Sequence, residues 1–257
     1  MNQVLKNHVA LITGAADGIG AAIATRFAEA GADLMLLDVQ SDANDALASL
    51  LAAAHNVRTL ALTTDVSSTI AVNEAVAEGL HTFGRVDILV NNAAVAISGD
   101  PASMPDADWD RVISTNLSSA FRLIRAVLPG MQEHEAGCIL NIASTQAHRS
   151  WKNWTAYAAA KGGLLALTTQ LAGQLGPFNI RVNAISPGAI DTPMNERRVA
   201  DEGEQLRDQW ARMHALGRTG KPEEVAEAAL FLCSPSAGFI TGHDLKVEGG
   251  LCCLPRG

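Results

Sequence analysis

Short apolar runs alternate with helix-patterned segments along almost the whole chain, and this alternation constrains the fold more than any other feature. Seven runs read as strands: Val9–Thr13, Leu34–Asp38, Thr59–Asp65, Val86–Asn91, Cys138–Ala143, Arg181–Ser186 and Asp244–Val247. Helical patterns fill the gaps at Ile19–Ala30, Asp42–Ala54, Thr69–Thr82, Trp109–Leu128, Ala156–Leu175 and Glu223–Cys233. Gly31 and the Gly176-Pro177 pair act as stops. Strands that are apolar throughout are buried on both faces, as in a parallel sheet. Strand–helix alternation therefore predicts an α/β fold: a doubly wound, Rossmann-type parallel sheet of about seven strands with helices on both faces. A charged stretch, Asp191–Met213, breaks the rhythm and reads as an excursion that could serve as a mobile lid.

A chain of 257 residues has a prior near two domains at about 150 residues each. No linker, repeat or low-complexity stretch divides it, so one domain spanning 1–257 is expected. Nineteen Lys and Arg against 27 Asp and Glu leave a net charge of −8. That balance argues against nucleic-acid binding, which requires a basic excess to displace counterions. No signal peptide or membrane span is expected from the chain given, and no metal-ligand spacing is visible among the histidines or cysteines. Cys138, Cys233, Cys252 and Cys253 fit no disulfide framework, which suits reduced thiols in a cytoplasmic protein.

The first strand runs into Gly14-Ala15-Ala16-Asp17-Gly18-Ile19-Gly20. Glycines at a strand-to-helix junction let backbone amides approach a pyrophosphate at the helix N-terminus. Asp38 ends the second strand, placed to accept hydrogen bonds from adenosine ribose hydroxyls and to repel a 2′-phosphate. No Lys or Arg stands at Ala15, Ala16, Asp17 or Val39, so NAD is the expected cofactor. Asp65, with Val66 beside it, ends the third strand and is placed to touch the adenine. Asn92 and Ala93 follow the fourth strand, where the backbone would line the same cleft.

Tyr157, the single tyrosine, stands four residues before Lys161, so the two share a helical face. A phenol titrates near ~10 and must fall by about 2–3 units, or about 3–4 kcal/mol, to act as a base at neutral pH. One cation at ~4 Å in an effective dielectric near 20 supplies about that amount. Ser144 ends the fifth strand, where its hydroxyl could bond a substrate oxygen as charge develops. Asn116 is an unfavourable residue inside a helix and is read as holding a water.

Taken together, Thr13–Gly20, Asn91–Ala94, Asn116, Ser144 and Tyr157-x-x-x-Lys161 resemble the short-chain dehydrogenase/reductase family. Pro187-Gly188-Ala189-Ile190-Asp191-Thr192 resembles its nicotinamide-side motif, and Gly238–Gly242 with Val247–Gly250 its C-terminal signature. Ala94 stands where glycine is more usual, and Ala160 where serine is common. The resemblance implies that Tyr157 transfers a proton, Lys161 lowers its pKa and binds nicotinamide ribose, and Ser144 orients substrate. It further implies a proton-relay water on Asn116, carboxamide contacts from Ile190 and Thr192, hydride transfer at nicotinamide C4, and a homotetramer.

Substrate is expected to be read by the loop Ser144–Trp154 and by the lid. Gln146, His148, Arg149, Lys152 and Trp154 make that loop polar, basic and aromatic; the lid adds Arg197, Arg198, Arg207, Arg212 and Trp210, while Trp109 reads as core. Aromatic faces with polar groups suit a sugar-like alcohol, and the cations suit a carboxylate, phosphate or sulfonate on it. A 3-oxoacyl or hydroxysteroid reductase and a non-catalytic NAD sensor are the alternatives.

Overall fold

The computed structural model describes residues 3–253. Seven strands, β1 (Val9–Thr13), β2 (Asp33–Asp38), β3 (Thr59–Thr63), β4 (Ile88–Asn91), β5 (Gly137–Ile142), β6 (Ile180–Pro187) and β7 (Asp244–Val247), form one sheet. Its order is β3-β2-β1-β4-β5-β6-β7, and every pairing is parallel. The order reverses direction between β1 and β4, which opens a crevice at their carboxyl ends.

The helices are α1 (Gly18–Glu29), α2 (Ser41–His55), α3 (Thr69–Phe83), α4 (Asp106–Ile113), α5 (Ser119–Glu133), α6 (Thr155–Leu175), α7 (Pro193–Glu202), α8 (Gln205–Met213) and α9 (Pro222–Cys233). One core joins α1, α2 and α9 to the sheet through Phe27, Leu51, Ile12, Leu36 and Leu230. The other joins α3, α5 and α6 through Val76, Ile124, Val127, Leu89 and Leu175. β1, β2 and β4 contribute to both cores, which explains their uninterrupted apolar runs.

Three expectations change. The helix predicted at Trp109–Leu128 is two α-helices joined by a π-turn, Ser114–Ser118, in which the Ser119 N–H reaches back to Ser114 O. Starting at Asp106 turns Trp109 outward, and it is 40% exposed rather than core. The charged excursion is folded as α7 and α8: Pro193 starts α7, and the Thr192 hydroxyl accepts the Asn195 N–H at 3.4 Å as its cap. Among the described residues no helix is long and apolar enough to cross a membrane.

Candidate active site

A cleft of about 550 Å³ lies over the carboxyl ends of β1, β2, β4, β5 and β6. At one end stand Gly14, Asp17, Gly18, Ile19, Asp38, Asp65 and Val66. Further along come Asn92, Ala93, Pro187, Gly188, Ile190 and Thr192, and then Ser144, Tyr157, Lys161 and Gln146. Gly20 lies just beneath the surface: a Cβ there would meet Gly14 O at 1.9 Å and Asn92 Nδ2 at 2.7 Å. Gly14 has φ +62, and a Cβ on it would meet Ala93 Cα at 2.9 Å. Backbone closeness requires glycine at both positions, and at Gly14 the positive φ requires it as well.

This end of the cleft fits a dinucleotide. The start of α1 has no side-chain cap, so its first amide N–H groups remain available to a pyrophosphate. Asp38 is buried and fixed, accepting the Ala16 N–H at 3.0 Å and the Gln40 N–H at 2.9 Å. Each carboxylate oxygen keeps a second lone pair for a ribose hydroxyl. Asn92 braces the turn, its Nδ2 donating to Thr13 O at 2.9 Å and Gly14 O at 3.0 Å.

The chemical end is built on β5, α6 and the loop between them. Ser144 is buried at the end of β5, and its Oγ accepts the Gln146 N–H at 3.1 Å. Tyr157 lies in the first turn of α6. Protein crowds its hydroxyl, and that burial pushes its pKa up to about 12, against a hydrogen bond from Ser144 and the charge of Arg198. Lys161 is buried; its Nζ donates to Ile142 O at 2.7 Å and lies 5.6 Å from the Tyr157 ring centroid. Desolvation lowers the Lys161 pKa to about 8. The Lys161 ammonium turns to a carbonyl and is itself disfavoured by burial, an opposing effect that the sequence argument left out.

Asn116 sits in the π-turn, outside the cleft lining. Its side chain is spent on the backbone of Val95, accepting from N–H at 2.8 Å and donating to O at 2.9 Å. It pins the loop after β4, so a water on this residue would have to use its main-chain carbonyl.

The basic loop residues are not brought to the cleft. His148 pairs through Nε2 with Asp244 of β7 at 2.7 Å, Arg149 donates to Leu251 O at 2.9 Å, and Lys152 is exposed outside the lining. Trp154 is also behind the lining, edge-on to Tyr157 with centroids 5.6 Å apart. Their alternation of direction depends on the short 3₁₀ turn Thr145–Ala147, which no periodicity in the sequence marks. Instead the substrate side is lined by Trp151, Met194, Asn195, Arg197, Arg198, Trp210, Met213 and Leu251. The lid residues were legible as a charged group, whereas nothing in the sequence marked Arg111, His214 or Leu251, which also line the cleft. His214 is buried and ties lid to sheet: its Nε2 accepts the Ala189 N–H at 3.1 Å and its Nδ1 meets Trp210 O at 2.6 Å.

A family model described as enoyl-(acyl carrier protein) reductase matches residues 14–252. A 3-oxoacyl-(acyl-carrier-protein) reductase of Chlamydia trachomatis is 37% identical over 98% of this chain and 100% of its own length. The chain belongs to the short-chain dehydrogenase/reductase family. An NAD-dependent glycerol dehydrogenase of Listeria innocua is 36% identical over 96% of the chain and 94% of its own. The crystal structure of a short-chain type dehydrogenase/reductase from Mycobacterium marinum superposes with a TM-score of 0.91, at 32% identity and 97% coverage of both chains. The chain is thus an oxidoreductase of that family acting on a small molecule.

Proposed function

We propose that this oxidoreductase interconverts a secondary alcohol and its ketone using NAD, and that the compound is of the 3-hydroxyacyl/3-oxoacyl class. The observation that carries the reaction is the convergence of Ser144, Tyr157 and Lys161 on one wall of a cleft whose other end fits a dinucleotide. NAD rather than NADP is favoured by Asp17, Asp38 and Asp65 at the adenosine end, whose carboxylates would repel a 2′-phosphate. The acyl class is favoured by the relatives, several of which are named 3-oxoacyl reductases. A sugar-like or polyol substrate is the second reading, favoured by the polar Gln146 and the glycerol dehydrogenase relative.

When bound, oxidised nicotinamide supplies a hydride acceptor and a positive charge beside the phenol. Ser144 donates to the substrate oxygen and orients it toward Tyr157. The Tyr157 hydroxyl exchanges a proton with that oxygen, and Lys161 is placed to bind the nicotinamide ribose. Asn116, through Val95, holds the cleft wall. Thr192 and Ile190, which line the cleft, would hold the nicotinamide carboxamide, and α7 with α8 act as the lid. A homotetramer and a cytoplasmic location complete the proposal.

Tyr157→Phe tests it. Alcohol oxidation should fall about 10²–10⁴-fold, with NAD binding by titration retained. A variant that oxidises alcohol as fast as the parent would take Tyr157 out of the proton transfer, and NAD binding with no turnover by the parent would replace catalysis with NAD sensing. Because Tyr157 is held well on the protonated side of neutral, oxidation in the parent should rise with pH between 7 and 10, whereas ketone reduction, which uses the protonated phenol, should stay flat over that range.

A further inference from the structure

Arg198 stands on α7 with its guanidinium over two aromatic rings, 4.7 Å from the centroid of Trp154 and 5.2 Å from that of Trp210. Trp154 in turn touches Tyr157 edge-on, and Arg198 lines the same cleft as Ser144 and Tyr157. Glu202 neutralises it only from one side: Nε at 3.0 Å and Nη2 at 2.9 Å both donate to the single oxygen Oε1. Nη1 has no hydrogen-bond partner among the described residues. The next arginine is held differently. Arg207 spends both Nη atoms on Glu196, at 2.9 and 2.8 Å, and lies outside the cleft lining.

The protein thus presents, in the cleft that holds its reacting hydroxyls, a cation with one edge left open. A carboxylate complements that edge, its oxygen accepting from the guanidinium.

We propose that Arg198 recognises a carboxylate on the substrate, so that the alcohol oxidised is a hydroxy acid in its free, ionised form rather than a thioester. This inference rests on the alcohol–ketone reading above. Contacts with two tryptophan rings hold the guanidinium before substrate arrives, so little ordering entropy is lost on binding.

The test compares short 3-hydroxy acids with their primary amides, using the parent, Arg198→Ala and Arg198→Lys with saturating NAD. The parent should favour the acid in kcat/KM by about 10- to 100-fold, the range of one charge-assisted hydrogen bond. Arg198→Ala should bring that ratio near one, and Arg198→Lys should keep part of it. Butyrate should quench tryptophan fluorescence in the parent far more than butyramide does, and equally little in Arg198→Ala. If Arg198 merely latches the lid, both series fall together and the ratio is unchanged, which overturns the inference. Turnover of amides as fast as acids by the parent also overturns it and leaves the oxidoreductase reading intact. No turnover of either series, nor of neutral alcohols, removes both.

Discussion

The two ends of the cleft are built by different means. At the dinucleotide end the fittings are backbone and short side chains: the turn at Gly14–Gly20, the Asp38 carboxylate held by two N–H groups, and Asn92 clamped to Thr13 and Gly14. At the substrate end they are long side chains from a loop and a lid: Trp151, Arg197, Arg198, Trp210 and Met213. The first kind of surface is fixed once the sheet forms. The second depends on which way each side chain turns, and can change without touching the sheet.

That contrast sets the scale of three further substitutions. The largest effect is expected from Gly20→Ala. A Cβ 1.9 Å from a carbonyl oxygen must move backbone, not a flexible tip. We expect a loss of stability of about 1–3 kcal/mol or more, read by chemical denaturation, together with loss of NAD binding. Tolerance of alanine there would mean that the turn is as adaptable as the loops, and the contrast would fail. Next is Asp38→Ala, expected to weaken NAD about 10-fold or more, since hydrogen bonds to a charged group are worth about 1.5–3 kcal/mol. NADP should lose little or improve, and the ratio of the two KM values reads the difference. The smallest effect is expected from Lys152→Ala, which should change kcat/KM for acids and amides alike by less than about 2-fold, because its side chain lies outside the cleft and an exposed charge is screened. A selective loss for acids would move anion recognition back to the loop and sharpen the division differently.

The same contrast explains what could be read from the sequence. The sheet, its strand positions and the placement of Gly14, Asp38, Asp65, Ser144, Tyr157 and Lys161 follow from periodicity, glycine spacing and strand ends, all of them backbone properties. His148, Arg149 and Lys152 were legible as charges but not as directions. Asp244, far along the chain on β7, draws His148 aside, and Leu251 O draws Arg149. Arg198 and Glu202 show the helical i,i+4 spacing, yet nothing in that spacing announces two tryptophans around the cation. The Tyr157–Lys161 arithmetic was incomplete for a related reason. It counted the attraction of two groups and omitted the burial that acts on each.

Cys138 and Cys233 make the same point in the core. They are remote in sequence yet neighbours in space, and the hydrogen bond between them lowers the pKa of Cys138 and raises that of Cys233, with burial pushing both upward. Arg181 donates to Cys138 at 3.5 Å from the adjacent strand. Spacing alone carried no hint of this pair.

The π-turn at Ser114–Ser118 acts as a phase shifter. Upstream of it, Val112 faces a small cluster with Ala156 and Ala160 beneath Tyr157; downstream, Leu123, Ile124, Val127 and Met131 face the main core under β4 and β5. An uninterrupted α-helix advances ~100° per residue, so one extra residue rotates everything after it by that angle. The two halves can then satisfy two different cores from one nearly continuous rod. Length, more than composition, is what sets the phase of this stretch. Many single replacements along it leave the phase intact, whereas deleting any one residue between Ser114 and Ser118 would bring the helix back into regular winding and swing one half's apolar stripe toward water.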